Sequence, residues 1–218
     1  MKEQEVDKFY GRRKGRPLRK HKTECLKDLD LYSIHLPLNL QMVFPGIQEV
    51  WLEIGFGGGE HLAALAEKNP EVGFIGAEAF INGVASFLQY RSEMNLTNVR
   101  LFANDVRLLL QQLPENSITK IFILFPDPWP KKKHHKRRIV NPKVAQELCR
   151  VLKKGGEIRL ASDVPEYIEH MKHIFQLVPE FKLCFSSHEK PNDWPSTRYE
   201  MKAIEAQHYP HYLIYLKN

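Results

Sequence analysis

Short apolar runs bounded by turn-forming residues alternate along this chain with amphipathic stretches of helical length, and that alternation constrains the fold more than any other feature. Strands are predicted at 49–54, 73–77, 98–103, 118–125, 157–161, 181–185 and 211–216. Helices are predicted between them, at 59–68, 81–94, 106–113, 142–152 and 165–177. Strands separated by helices cannot pair as hairpins and must cross over, so the expected architecture is α/β, a doubly wound Rossmann-like sheet with helices on both faces. Lys153-Lys154-Gly155-Gly156 is expected to close the fourth of these helices, with basic residues in its last turn and glycine beyond. The stretch 186–207 lacks periodicity and reads either as a functional loop or as irregular packing.

The 218 residues, 43% of them apolar, can bury one substantial core and not two. A single domain over 23–218 is therefore expected behind a flexible basic arm, 1–22. The formal charge of +6 belongs to that arm, where nine Lys and Arg face Glu3, Glu5 and Asp7; the other 23 basic and 23 acidic residues cancel. A second block, Lys131-Lys132-Lys133-His134-His135-Lys136-Arg137-Arg138, carries six formal positive charges and no acid. Two separated basic clusters point to a polyanion partner, although a solvated tail and a solvated loop have the same composition. No apolar run approaches the roughly 20 residues of a membrane span, and 1–22 lacks the apolar core of a signal peptide. A soluble cytoplasmic protein without a membrane partner is expected, monomer or homodimer. Cys25, Cys149 and Cys184 have neither disulfide nor zinc spacing and are expected to be plain thiols.

Glu53-Ile54-Gly55-Phe56-Gly57-Gly58-Gly59 follows the first strand and opens the first helix, so Gly55, Gly57 and Gly59 let backbone approach a ligand at a helix start. A dinucleotide site would need glycine three places beyond Gly57. Glu60 stands there, and a carboxylate beside a pyrophosphate repels it. S-adenosylmethionine carries a sulfonium and an amino group instead of phosphate, and an acidic, glycine-lined pocket suits it better. Glu78, at the end of the second strand, is placed to accept hydrogen bonds from ribose hydroxyls. Asn104 and Asp105, after the third strand, offer donor and acceptor groups to an adenine edge, although Asp105 would also serve as a helix cap. Glu53, Glu78 and Asp105 thus stand at the carboxyl ends of successive strands, the edge along which open α/β sheets bind ligands.

Phe125-Pro126-Asp127-Pro128-Trp129-Pro130-Lys131 emerges from the apolar run Ile121-Phe122-Ile123-Leu124. The flanking prolines restrict the backbone and fix where Asp127 points, across the switch point of the sheet. Pro-Asp-Pro is also ordinary turn chemistry, but the basic run directly after it favours a functional loop. This motif, Glu53-Ile54-Gly55-Phe56-Gly57, His135-Lys136-Arg137-Arg138, Ser162-Asp163 and Thr197-Arg198-Tyr199-Glu200 together resemble the bacterial tRNA (guanine-N7)-methyltransferases of the TrmB type, over the chain from about residue 49 to its end. The resemblance implies a class I methyltransferase sheet of seven strands with the last antiparallel, acting on guanine 46 in the variable loop of tRNA. It implies cofactor contacts from Glu53, Glu78, Asp105 and Asp127, and substrate contacts from Lys131, Asp163, Thr197, Arg198, Tyr199 and Glu200.

Guanine N7 presents a lone pair, so no proton has to leave before it attacks a sulfonium methyl. Catalysis then consists of aligning the reacting atoms and opposing the positive charge that grows on the base. Asp127 suits that role, accepting from guanine N1–H or N2–H. Trp129, Trp194 and Tyr199 are candidates to stack on the extruded base. Lys132, Lys133, Lys136, Arg137 and Arg138 are expected to meet phosphates, with His134 and His135 part of that surface; no metal site is expected. Three other readings compete: a methyltransferase acting on an exocyclic amine, a noncatalytic RNA-binding protein on a methyltransferase scaffold, and a nicotinamide oxidoreductase, against which Glu60 argues.

Overall fold

The computed structural model describes residues 9–218, so the first eight residues of the expected arm lie outside the described residues. Three short helices, α1 (Lys20–Cys25), α2 (Leu29–Tyr32) and α3 (Leu40–Val43), lead into β1 (Val50–Ile54). Strict alternation follows: α4 (Glu60–Lys68), β2 (Gly73–Ala77), α5 (Ile81–Glu93), β3 (Val99–Phe102), α6 (Val106–Gln112) and β4 (Ile118–Leu124). After a 3₁₀ helix, Lys132–Arg137, come α7 (Pro142–Val151), β5 (Leu152–Ser162), α8 (Pro165–Gln176), β6 (Phe181–Ser187), α9 (Arg198–Glu205) and β7 (His211–Lys217). The strands form one sheet in the order β3-β2-β1-β4-β5-β7-β6, with β7 antiparallel to both neighbours. The α/β class, the seven strands and the reversed last strand agree with the sequence reading.

The near-continuous apolar runs of the central strands are explained by burial on both faces. Because side chains alternate across a strand, Ile121 and Ile123 of β4 join the core that Leu109, Leu148 and Met171 supply from α6, α7 and α8. Phe122 and Leu124 join the opposite core, beneath Leu62 of α4 and Phe87 of α5. Helix starts follow local chemistry: Pro142 occupies the first turn of α7, and Asn141 Oδ1 accepts from Val144 N at 3.1 Å.

Two expectations need correction. Lys153-Lys154-Gly155-Gly156 does not follow a helix end as a cap, because α7 stops at Val151 and these residues already belong to β5. They form the irregular stretch where the pairing with β4 jumps from Ile118–Leu152 to Lys120–Glu157, and Gly155 takes the left-handed backbone (φ 76°) that the bulge needs. The aperiodic 186–207 contains a helix, α9, begun by a capping box in which Thr197 Oγ1 accepts from Glu200 N (2.9 Å) and the Glu200 carboxylate accepts from Thr197 N (3.2 Å). Over 9–22 the expected arm lies against the domain. The Asn82 side chain accepts from Gly15 N and donates to Arg16 O, both at 2.8 Å, and Ile81 N donates to Arg13 O at 3.0 Å. All three cysteines are free thiols. Among the described residues no helix is long and apolar enough to cross a membrane, and no group of three or more potential ligands could hold a metal ion.

Candidate active site

The carboxyl ends of β1, β2, β3 and β4 open on one cavity of about 640 Å³. It lies where the strand order reverses between β1 and β4, the place at which open α/β sheets bind ligands. Gly55 and Gly57 line it in left-handed conformations (φ 74° and 56°), which brings bare backbone to the cavity wall. Gly59 does not: it packs on Phe87 at the start of α4.

Glu78 ties two loops together. One carboxylate oxygen accepts from Gly57 N at 2.9 Å and the other from Phe80 N at 2.8 Å. Burial pushes its pKa above the usual carboxylate range; the N–H groups of Phe80 and Gly57 pull it back, and the charge of Asp127 adds to the rise. Asn104 Oδ1 accepts from Asp105 N (2.9 Å) and from the Arg13 guanidinium (3.0 Å). Asp105 lines the cavity and caps α6, accepting from Arg107 N at 3.0 Å, while its carboxylate also accepts from Arg107 Nε at 3.0 Å.

Asp127 stands at the rim on a rigid loop. Phe125 and Trp129, on either side, have left-handed backbone (φ 50° and 43°), and Arg138 Nε donates to Pro128 O at 2.8 Å. Such conformations are costly for side chains with a Cβ and persist where the surroundings enforce them, a pattern common at active sites. The Asp127 carboxylate accepts no hydrogen bond from the described residues. Tyr199 faces it across the cavity, its phenol pKa raised by burial and then by the charges of Asp127 and Glu78.

The chain has relatives of more than 40% identity. A family model described as "Putative methyltransferase" matches residues 47–213. The tRNA (guanine-N(7)-)-methyltransferase of Paramagnetospirillum magneticum is 44% identical, with 92% of this chain and 89% of that protein covered. The protein of the same name from Rhodospirillum rubrum is 42% identical over 95% of this chain and 87% of its own length. The chain belongs to the tRNA (guanine-N7)-methyltransferase family. In fold it is similar to the 16S rRNA methyltransferase KamB, with a TM-score of 0.59 at 15% identity, covering 81% of this chain and 94% of that one.

Several of the residues expected at the methyltransferase site have partners within the fold. Glu53 shares the strand face of Trp51 and so points under α4, where His61 Nδ1 donates to it at 2.8 Å; the two side chains are 4% and 2% exposed, and neither is among the residues lining the 640 Å³ cavity. Arg138 is buried in the cavity wall, held by Pro128 O and by the Glu166 carboxylate at 3.0 Å. Glu200 is buried in the capping box and accepts from the Tyr212 hydroxyl at 2.6 Å. Thr197 and Glu200 thus hold α9 while Arg198 and Tyr199 project from it, and the T-x-x-E spacing of a capping box was the available signal. Trp194 is core, edge-on to Tyr212, which leaves Trp129 and Tyr199 beside the cavity. Asp163 accepts from His208 Nδ1 at 2.8 Å, outside the cavity lining. Lys131, Lys132, Lys133 and Lys136 are exposed, while Arg137 stacks over Trp129 and Tyr10. Sequence reading missed Phe9 and Tyr10, which line the cavity.

Proposed function

We propose that this enzyme transfers the methyl group of S-adenosyl-L-methionine to N7 of guanine 46 in the variable loop of tRNA, in the cytoplasm. The observation that carries the reading is the gathering of Asp127, Glu78 and Tyr199 on one glycine-walled cavity, in a chain whose relatives are named for this reaction. The cavity fits the cofactor's chemistry: the backbone loop at Gly55 and Gly57 leaves room for close approach, and the carboxylates of Glu78 and Asp127 favour a cationic ligand. Gly55, Gly57, Glu78, Asn104 and Asp105 would hold it. Bound there, it supplies a methyl group activated by a positive sulfur.

The protein's own contribution is placement and charge. Asp127 accepts from the guanine N1–H or N2–H edge, so its negative charge opposes the positive charge that the base acquires as N7 bonds to carbon. The base stacks on Trp129 or Tyr199 after leaving its tertiary contacts. Lys131 to Lys133 and Lys136 meet phosphates, with Arg198 and Asp163 completing the substrate surface. The deciding experiment is radiolabelled methyl transfer to unmodified tRNA followed by nucleoside analysis. The expected product is 7-methylguanosine at position 46; label on an exocyclic amine, or none, overturns the reading.

Glu78→Ala is expected to weaken cofactor binding tenfold to a hundredfold, since a buried hydrogen bond to a charged partner is worth about 1.5 to 3 kcal/mol. The effect has a pH signature. Only the ionised carboxylate accepts on both oxygens, so parent affinity falls on acidification, beginning at a higher pH than for an exposed glutamate because burial raises the Glu78 pKa. Calorimetry should show this pH dependence in the parent and its absence in Glu78→Gln; a flat parent profile removes Glu78 from the cofactor site.

Replacing Lys131, Lys132, Lys133 and Lys136 by Ala is expected to flatten the log–log dependence of tRNA binding on salt by roughly three units, at about 0.7 to 0.9 per phosphate contact. A slope equal to the parent's would make the run a solvated loop.

A further inference from the structure

A second groove, of about 370 Å³, lies beside the catalytic cavity and shares Gly57, Phe80 and Tyr199 with it. Its walls come from four places in the sequence: the arm, the Gly57-Gly58 loop, the first turns of α5 and α9. The charged residues lining it are Arg16, Arg19, Lys22, Arg198 and Lys202, without one Asp or Glu among them. Lys22 Nζ donates to Ser86 Oγ at 2.6 Å, which fixes the arm but leaves the charge uncompensated. None of Arg16, Arg19 and Arg198 has an ion-pair partner among the described residues, and Lys202 has only the Tyr199 ring, 5.5 Å away. Glu60, beside Gly58, is an acid close by, one charge against five. Five cations held within one concave surface repel one another, and that arrangement is stabilised by an anion that threads it.

We infer that this groove binds the sugar-phosphate backbone of the tRNA strand adjoining the target guanine, on the side of the cavity away from the Lys131–Lys136 run. The inference rests on the reading of the chain as a tRNA methyltransferase and adds, beside Arg198 of the family motif, the cations Arg16, Arg19, Lys22 and Lys202 that lie outside those motifs. A nucleotide turned into the cavity keeps its flanking phosphates outside, and a cationic groove sharing the cavity wall is where those phosphates pass. The same geometry gives the arm a role. Through the Asn82 clamp its basic residues are set opposite α9 as one wall of an RNA channel.

The test compares two triple variants that lose equal charge. One is Arg16→Ala, Arg19→Ala and Lys202→Ala in the groove; the other is Lys68→Ala, Lys154→Ala and Lys182→Ala, all exposed and outside it. Filter binding of unmodified tRNA across a salt series is expected to show the groove triple with a slope flatter by about two units and affinity lower by on the order of tenfold to a hundredfold, while the control stays near the parent. Its KM for tRNA rises by a similar factor. Matching melting curves establish that both triples are folded. If the parent methylates guanine N7 and the two triples bind alike, the groove inference falls and the reaction stands. If the groove triple alone loses slope while the parent methylates no tRNA, the groove stands and the reading of the reaction falls.

Discussion

Asp127→Asn lowers the rate of methyl transfer on the order of a hundredfold to a thousandfold with both substrates saturating, the usual consequence of removing one preorganised electrostatic contact. The substitution keeps size and shape, so the loop held by Pro126, Pro128 and the Arg138 to Pro128 hydrogen bond is undisturbed. What changes is charge: a neutral amide opposes none of the positive charge arriving on guanine, and its NH₂ group can face a donor. Because the Asp127 carboxylate is exposed and accepts nothing from the described residues, its loss leaves no buried group unpaired and little stability is at stake. Single-turnover kinetics separates the chemical step from binding. A near-parental rate there assigns Asp127 to positioning and overturns the mechanism. The matching Asp163→Asn, at a residue held by His208 outside the cavity, acts on apparent tRNA affinity instead.

Gly83→Ala, at a position outside the lining of the catalytic cavity, is expected to damage cofactor binding almost as severely as loss of a direct contact. By helix propensity the change is favourable by about 1 kcal/mol, since Gly83 lies inside α5 with ordinary helical backbone. A Cβ there, however, would run into the carbonyl oxygen of Gly57, which is backbone and cannot rotate away. Either α5 retreats or the Gly57 turn moves, and the turn is also what Glu78 holds through Gly57 N. Overpacking of this kind costs about 1 to 3 kcal/mol, which, if the loop absorbs it, weakens the cofactor roughly tenfold to a hundredfold. Calorimetric titration beside a thermal melt distributes the effect between loop and fold. Unchanged affinity and unchanged melting would show that the contact relaxes freely.

The parts of this protein written in local patterns were readable from the sequence. The run Ile121-Phe122-Ile123-Leu124 announces a strand buried on both faces, and glycines at 55 and 57 announce a tight turn after β1, because pleating and backbone sterics act over a few residues. The capping box at Thr197 was equally local, yet the family motif drew attention to substrate contacts there, and the helix it begins was missed. Glu53 shows the limit from the other side. Its position at a strand end suggested a cofactor contact, whereas the pleat turns it beneath α4 to a histidine eight residues on.

The sequence by itself determined the sheet, its strand count and the acids at its ligand-binding edge, since each follows from composition and spacing along neighbouring residues. Only the tertiary structure decided which charges face the cavity and which are spent on the fold. Asp127 and Glu78 face it; Glu53 and Glu200 are committed to partners that the chain brings from 8 and 12 positions away, and Arg138, in the cavity wall, to one 28 positions away. It likewise set the arm at the catalytic edge, through an asparagine 66 positions beyond Arg16. Such pairings depend on burial and on how helices cross the sheet, and a solvated surface and a buried ion pair draw on the same residue types.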